Sequence, residues 1–144
     1  MRQEFVVYGQ PVPKGRPRLA RNGHTYTPEK TRDAELAVMQ AAFCAGIKPM
    51  DGPLLLEVNF HFQIPKSWSK KQQALAREYK VLPCSKPDID NCLKLVMDAL
   101  LDVAYLKDDS QVVGIVSRKY YSDEPHTYVC ISEVEINEQA DNHR

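Results

Sequence analysis

The sequence has no apolar run near the roughly 20 residues that a membrane-spanning helix needs. Its first residues also lack a charged segment followed by a long apolar stretch and a cleavage site. We therefore expect a cytoplasmic protein without membrane contact. With 144 residues, 43% of them hydrophobic, the chain is expected to form one domain over residues 1–144, with a polar tail from about residue 137.

Cysteine and histidine patterns for metal binding are missing as well. The four cysteines form no CxxC pair, and Cys44 and Cys130 lie within apolar stretches, so buried thiols are expected rather than zinc ligands or disulfides. The four histidines show no spacing such as HxxxH, and none has a credible nucleophile partner. These absences weigh against zinc chemistry and against a Ser/His/Asp or Cys/His mechanism.

The net charge is zero, but the charges are sorted along the chain. Residues 1–32 hold seven Lys/Arg against two Asp/Glu, and residues 66–86 hold six against one. The remainder holds six basic and sixteen acidic residues. A basic track beside an acidic pocket is typical of a nuclease, although a run of charge can equally be a solvated face.

Hydrophobic periodicity predicts an α/β fold: a small mixed sheet of about four strands, with helices packed mainly on one face. Three helices are expected. The first runs from an N-cap at Thr27 to Gly46, the second is a short N-capped helix over 67–74, and the third spans 89–104. Strands are expected at 4–9, 54–64, 112–121 and 126–136, the last two paired as a hairpin around residues 122–125.

The loop Pro11–Arg18 contains three prolines and a glycine, which disfavour a helix or central strand. Its cations Lys14, Arg16 and Arg18 are expected to contact DNA phosphates, although a solvated connector is the alternative. Arg21 and Lys86 complete the predicted DNA-binding set. Trp68, the single tryptophan, is expected to pack in the core or an interface rather than to stack on a base.

Two acidic clusters flank the third predicted helix. Asp88 is expected near its N-cap and Asp90 in its first turn, while Asp108 and Asp109 follow its end. If the chain folds back, these carboxylates converge and need a cation. Mg²⁺ prefers oxygen ligands, so a divalent-metal site for phosphodiester chemistry is the leading hypothesis. The alternative is that the aspartates only cap the helix and form turns.

The elements Asp88-Ile89-Asp90-Asn91, with Lys94 three residues on, and Asp108-Asp109-Ser110-Gln111 resemble the RusA family of Holliday-junction resolvases. The resemblance covers most of the chain. It implies that Asp88, Asp90 and Asp109 are the essential carboxylates and metal ligands, with Asp108 as a possible further ligand. It also implies Lys94 as the catalytic lysine, and Asn91 would support a ligand.

The same resemblance implies a homodimer that acts on branched DNA. It would cut four-way junctions by paired symmetric nicks in DNA recombination and repair, with Mg²⁺ as cofactor and Mn²⁺ as an expected substitute. Two identical sites suit two related nicks. Two alternatives stay open: a Mg²⁺-dependent nuclease for other branched or flap DNA, and a noncatalytic DNA-binding module.

Overall fold

The computed structural model describes residues 1–135, so the polar tail predicted from about residue 137 lies outside the described residues. The strands are β1 (Arg2–Tyr8), β2 (Arg18–Leu19), β3 (Thr25–Tyr26), β4 (Leu54–Gln63), β5 (Val112–Ser122) and β6 (His126–Glu133). The helices are α1 (Glu29–Cys44), α2 (Lys70–Arg77) and α3 (Ile89–Ala99), and a 3₁₀ turn spans Asp109–Gln111. None of the helices within residues 1–135 is both long and apolar enough to cross a membrane.

Four strands form one mixed sheet in the order β1-β6-β4-β5. β4 runs parallel to β5, and β6 runs antiparallel to both β4 and β1. The predicted hairpin of the last two strands is therefore wrong, since β4 lies between them. The connection passes the end of β4, where the Ile64 amide donates to the Ser122 carbonyl at 3.0 Å. β2 and β3 form a separate two-stranded ribbon.

β4 is the central strand because its alternation buries one complete face. The residues that face the core are Leu54, Leu56, Val58, Phe60 and Phe62. α1 and α3 cover this face, and their buried hydrophobic residues belong to the same core cluster as those of the sheet. The predicted fold class, with helices mainly on one face, is confirmed.

Both long helices differ from the predicted boundaries. α1 has Pro28 rather than Thr27 as its N-cap residue, and no side chain caps it. α3 ends at Ala99 and not at residue 104, and turns follow. The helical spacing continues past the end of α3 because Leu100 and Ala104 are buried in the same core. In α2 the capping bond comes from Ser69, whose side chain accepts from the Gln72 amide.

The cysteines and the tryptophan follow the predictions only in part. Cys130 is buried as expected, whereas Cys44 is exposed, because it lies at the end of α1. All four thiols are free. Trp68 is half-buried and packs edge-on against Tyr121, with ring centroids 5.1 Å apart.

The second face of the sheet holds a row of aromatic rings. His61 of β4 stacks on His126 at 4.1 Å and on Tyr120 at 5.1 Å between ring centroids. Burial and the neighbouring His126 lower the pKa of His61 to about 4. The His61 ring is therefore neutral at physiological pH.

Candidate active site

The start of α3 presents two carboxylates and a lysine to solvent. Asp88 is the N-cap residue, Asp90 lies in the first turn, and both are exposed together with Lys94. The Asp88 side chain makes no capping hydrogen bond; its Oδ2 lies 3.1 Å from the Lys86 ammonium. Among residues 1–135, Asp90 accepts only from the adjacent Asn91 amide, at 2.9 Å. Helix capping therefore does not explain Asp88, which stands exposed at the positive end of the helix dipole.

Lys119 of β5 holds the segment that leads into α3. Its ammonium donates to the carbonyls of Ser85 at 2.8 Å and Pro87 at 2.9 Å, and it lies 5.6 Å from the centre of the Phe62 ring. Sequence reasoning missed this residue. The signal that could have identified Lys119 is its position in the sheet. It lies beside Phe60 on the core-facing side, where a lysine without an acidic partner is unusual.

The loop 11–18 is anchored to two helices at once. The Lys14 amide donates to the Asn91 carbonyl at 2.9 Å, and the Gly15 amide donates to Thr31 Oγ1 at 3.0 Å. A Cβ atom on Gly15 would lie 2.6 Å from Thr31 Oγ1, so only glycine permits this approach. The loop is thereby fixed beside the start of α3.

Three of the predicted DNA-binding residues project from this anchored loop and its ribbon. Arg16, Arg18 and Arg21 are exposed and form no ion pair with any residue in the range 1–135. Free guanidinium groups on a fixed backbone suit phosphate contact. Their role in DNA binding stays a prediction.

Lys14 has a different environment. Its ammonium lies 2.6 Å from Glu35 Oε1 and 3.0 Å from Asp98 Oδ2, which links the loop to α1 and α3. Burial lowers the pKa of Lys14, but the hydrogen bonds to Glu35 and Asp98 outweigh it and raise that pKa above its ordinary value. This arrangement favours a structural role over the predicted DNA contact.

A cleft of about 460 Å³ opens between the anchored loop and the start of α3. Lys14, Lys30, Lys86, Asp88 and Asn91 are among the residues that line it. Lys30 was not predicted, because only the fold brings the first turn of α1 to this cleft. The cleft places positive charge directly beside the Asp88 carboxylate.

The two aspartates of the second acidic cluster, Asp108 and Asp109, differ in their hydrogen bonding. Asp108 accepts hydrogen bonds from the Ser110 hydroxyl and, at 2.8 Å, from the Ser110 amide, and these bonds lower the pKa of Asp108. Asp109 is exposed, and its side chain accepts no hydrogen bond from the described residues. The turn therefore accounts for Asp108 and leaves Asp109 free.

The expected convergence of the two clusters does not occur within one copy of the chain. α3 has 11 residues, a length of about 16 Å, with Asp88 at its start. Beyond its end, Gln111 Nε2 donates to the carbonyls of Met50 at 2.9 Å and Gly52 at 3.0 Å. The Met50 amide in turn donates to the Ala104 carbonyl at 2.9 Å. These bonds keep Asp109 at the C-terminal end of α3.

The electrostatic environments agree with this separation. Burial raises the pKa of Cys92 to about 11; nearby Lys119 opposes this, while Asp88 and Asp90 add to it. Burial also raises the pKa of Tyr105, with further contributions from Asp109 and Asp98. Across residues 1–135, no group of three or more His, Cys, Asp or Glu side chains is placed to hold a metal ion. The three carboxylates of one protomer thus do not fit a shared ion, and their metal-binding role stays a prediction.

Comparison with known proteins gives the family. Residues 8–132 match the family described as endodeoxyribonuclease RusA. The uncharacterized protein YqaN of Bacillus subtilis (strain 168) is 39% identical over 137 residues, which cover 91% of this chain and 96% of that protein. The crossover junction endodeoxyribonuclease rusA of Lactococcus phage r1t is 32% identical over 82 residues, which cover 57% of this chain and 56% of that protein. RusA nucleases are in general divalent-metal-dependent resolvases that bind branched DNA. The predicted resemblance is confirmed: the chain belongs to the RusA endodeoxyribonuclease family.

Proposed function

We propose that this protein is a Mg²⁺-dependent crossover junction endodeoxyribonuclease that resolves Holliday junctions by paired symmetric nicks, in DNA recombination and repair. It acts in the cytoplasm as a homodimer of single domains, each spanning residues 1–144. The observation that carries the proposal is the exposed set Asp88, Asp90 and Lys94 at the start of α3, beside the lysine-lined cleft.

The carboxylates are available for chemistry, because helix capping and turn formation do not account for all of them. A module in which the aspartates served only as caps and turns would need a capping bond from Asp88, and there is none. Asp108 does make such a bond, and we therefore assign it the turn and not the reaction. We propose Asp88, Asp90 and Asp109 as the essential carboxylates, with Mg²⁺ or Mn²⁺ as the required cation.

DNA is held by positive charge beside these carboxylates. Arg16, Arg18 and Arg21 bind phosphates on the side of the anchored loop, and Lys86 and Lys30 bind them at the cleft. These contacts read no sequence by themselves, which suits recognition by junction shape. Each of them should contribute to affinity with a strong dependence on salt concentration.

Lys94 acts on the reacting phosphate. It lies one helical turn beyond Asp90 and is exposed, so its ammonium can approach a phosphate that is held beside Asp90. A positive charge there stabilises the negative charge that develops on the phosphate during hydrolysis. Its removal should therefore lower turnover more than affinity.

The test is nicking of an end-labelled synthetic four-way junction, run beside a linear duplex and a flap of the same sequence, with Mg²⁺ or with EDTA. The variant is Asp90→Asn, and the matched control is Asp102→Asn, an exposed aspartate just beyond the opposite end of α3. We expect paired symmetric nicks in the junction alone, lost with EDTA and with Asp90→Asn but kept with Asp102→Asn. Preferential cutting of the flap would indicate a flap nuclease and not a resolvase. An intact junction with folded wild-type protein would indicate a noncatalytic DNA-binding role.

A further inference from the structure

We propose that a row of aromatic rings on the second face of the sheet stacks on unpaired nucleobases at the branch point of the DNA. The aromatic row consists of Tyr8, His126, His61, Tyr120 and Tyr79. This inference rests on the proposed function, because it names a feature of branched DNA that the protein recognises in addition to phosphates. In a linear duplex the faces of the bases are covered by their stacked neighbours, so only branched or single-stranded DNA offers them.

The aromatic row crosses the whole sheet and has an exposed ring at each end. Tyr8 lies opposite His126, His126 opposite His61, and His61 opposite Tyr120, so each of the four strands contributes one ring. Tyr79 lies against two of these rings, with centroid distances of 4.6 Å to Tyr120 and 6.3 Å to His61. The end residues Tyr8 and Tyr79 are 71% and 51% exposed. A base can therefore reach either end of the row without any change in the core.

Tyr79 occupies a backbone position at which helices usually place glycine. The Tyr79 amide donates to the Ala76 carbonyl at 3.1 Å, and the Lys80 amide donates to the Leu75 carbonyl at 3.0 Å, which is the Schellman pattern at the end of α2. The left-handed residue of this motif is Tyr79, with φ 62°. A side chain is strained there, and strained residues cluster at ligand-binding sites. Helix termination alone does not explain a tyrosine that is both strained and half exposed.

The segment around Tyr79 carries positive charge that suits a DNA strand. Residues 66–86 hold six Lys/Arg and one acidic residue. Lys66, Lys70 and Lys71 are exposed and form no ion pair with any described residue. Cations that follow the phosphates, beside aromatic rings that stack on bases, are typical of surfaces that bind single-stranded DNA. A two-fold contact between copies of the chain at Tyr79 would instead set two basic segments against each other.

The aromatic row and the candidate active site lie at the same end of β5. The Lys119 ammonium binds the carbonyl of Pro87, next to Asp88, and Tyr120 is the following residue. Successive side chains of a strand point to opposite faces. Tyr120 therefore joins the aromatic row on one face while Lys119 holds the start of α3 from the other. A DNA strand with a phosphate at Asp88 can continue past this end of β5 onto the row.

The test measures binding in EDTA, which removes the cation that the proposed cleavage requires, to a four-way junction, a short oligo(dT) and a linear duplex. The variant is Tyr79→Gly, which removes the ring and supplies the residue that the left-handed position prefers, so the fold is kept. The matched control is Phe43→Ala, which removes another exposed ring, at the end of α1. Stacking of one base contributes about fivefold or more to affinity.

We expect Tyr79→Gly to weaken binding of the junction and of oligo(dT) by about fivefold or more and to leave duplex binding unchanged. Tyr79→Phe and Phe43→Ala should bind all three probes like wild type. Unchanged junction affinity in Tyr79→Gly, or an equal loss for junction and duplex, would overturn the stacking surface. Unchanged DNA affinity together with an altered oligomeric state in sedimentation equilibrium would assign the aromatic row to a contact between copies of the chain.

A second readout reports stacking directly. Tyr79→Trp places an indole in the aromatic row, and a base stacked on an indole quenches its fluorescence. We expect oligo(dT) to quench this variant more strongly than wild type, whose single tryptophan is Trp68; equal quenching would also overturn the stacking surface. The proposed function fails separately, when the bases stack in EDTA but wild type leaves the junction uncut in Mg²⁺.

Discussion

Replacing Lys14 with methionine tests whether the first cation of the loop 11–18 holds the fold or holds DNA. The change keeps the long apolar stem and removes the charge. A charge-assisted hydrogen bond contributes about 1.5–3 kcal/mol, and an exposed ion pair contributes only about 0.2–1 kcal/mol. The side chains of Lys14, Glu35 and Asp98 are 23%, 23% and 26% exposed, which lies between these cases. We expect Lys14→Met to lower the free energy of unfolding by about 2 kcal/mol, measured by urea denaturation.

The matched control is Arg16→Met, which removes an exposed cation without an ion pair among the described residues. This variant should unfold within about 0.5 kcal/mol of wild type, but bind junction DNA more weakly and with a shallower dependence on salt. Lys14→Met, measured at a temperature where it is folded, should keep the wild-type salt dependence. If Lys14→Met unfolds like wild type and loses DNA affinity as Arg16→Met does, the structural role of Lys14 is refuted.

Two further predictions concern His61 and Lys119. The pKa of His61 is lowered to about 4, so below its ordinary value of about 6.5 only the unfolded chain gains the proton, and stability falls as the pH drops from 6.5 towards 4. The loss of unfolding free energy has an upper limit of about 3 kcal/mol, and partial solvation of His61 reduces it to about 1–2 kcal/mol. Urea denaturation between pH 7 and pH 4.5 should show this loss in wild type and a smaller loss in His61→Phe. Equal losses in the two proteins would contradict the lowered pKa of His61. Lys119→Met frees the carbonyls of Ser85 and Pro87, so we expect junction turnover to fall by about tenfold or more with little change in affinity. Single-turnover kinetics measure this, with the exposed Arg118→Met as the control, and a purely affinity-based loss would argue against a positioning role for Lys119.

The fold was predictable wherever one residue pattern decides one element. The alternation in β4 specifies its buried face, and it does so without knowledge of its neighbours. Strand order is different, because it depends on which strand fills the sheet centre. The short connection between β5 and β6 favours a hairpin, yet the more apolar β4 is inserted between them. The end of α3 was predicted too late for a related reason. Leu100 and Ala104 continue the helical spacing of apolar residues because they are buried in the core, although they lie beyond the helix.

The candidate site was predictable where its residues share one element. Asp88, Asp90 and Lys94 stand within seven residues at one helix start, so their spacing alone sets their neighbourhood. Lys30 and Lys119 come from α1 and β5, and only tertiary packing brings them to the same cleft and loop. The anchoring of the loop 11–18 by backbone amides was also beyond reach, since no side-chain pattern encodes it.

β5 connects the predicted chemistry to the predicted assembly. Asp109 precedes this strand, Lys119 near its other end binds the segment before α3, and the uncovered apolar edge lies between them. Because both ends of the strand belong to candidate catalytic machinery, a change on its edge should act on two properties together. Ile115→Lys should weaken the proposed dimer and therefore lower paired nicking of the junction at limiting protein concentration. High protein concentration should then recover paired nicking in parallel with the dimer, as measured by sedimentation equilibrium. A loss of dimer that leaves paired nicking unchanged would contradict the proposed homodimer.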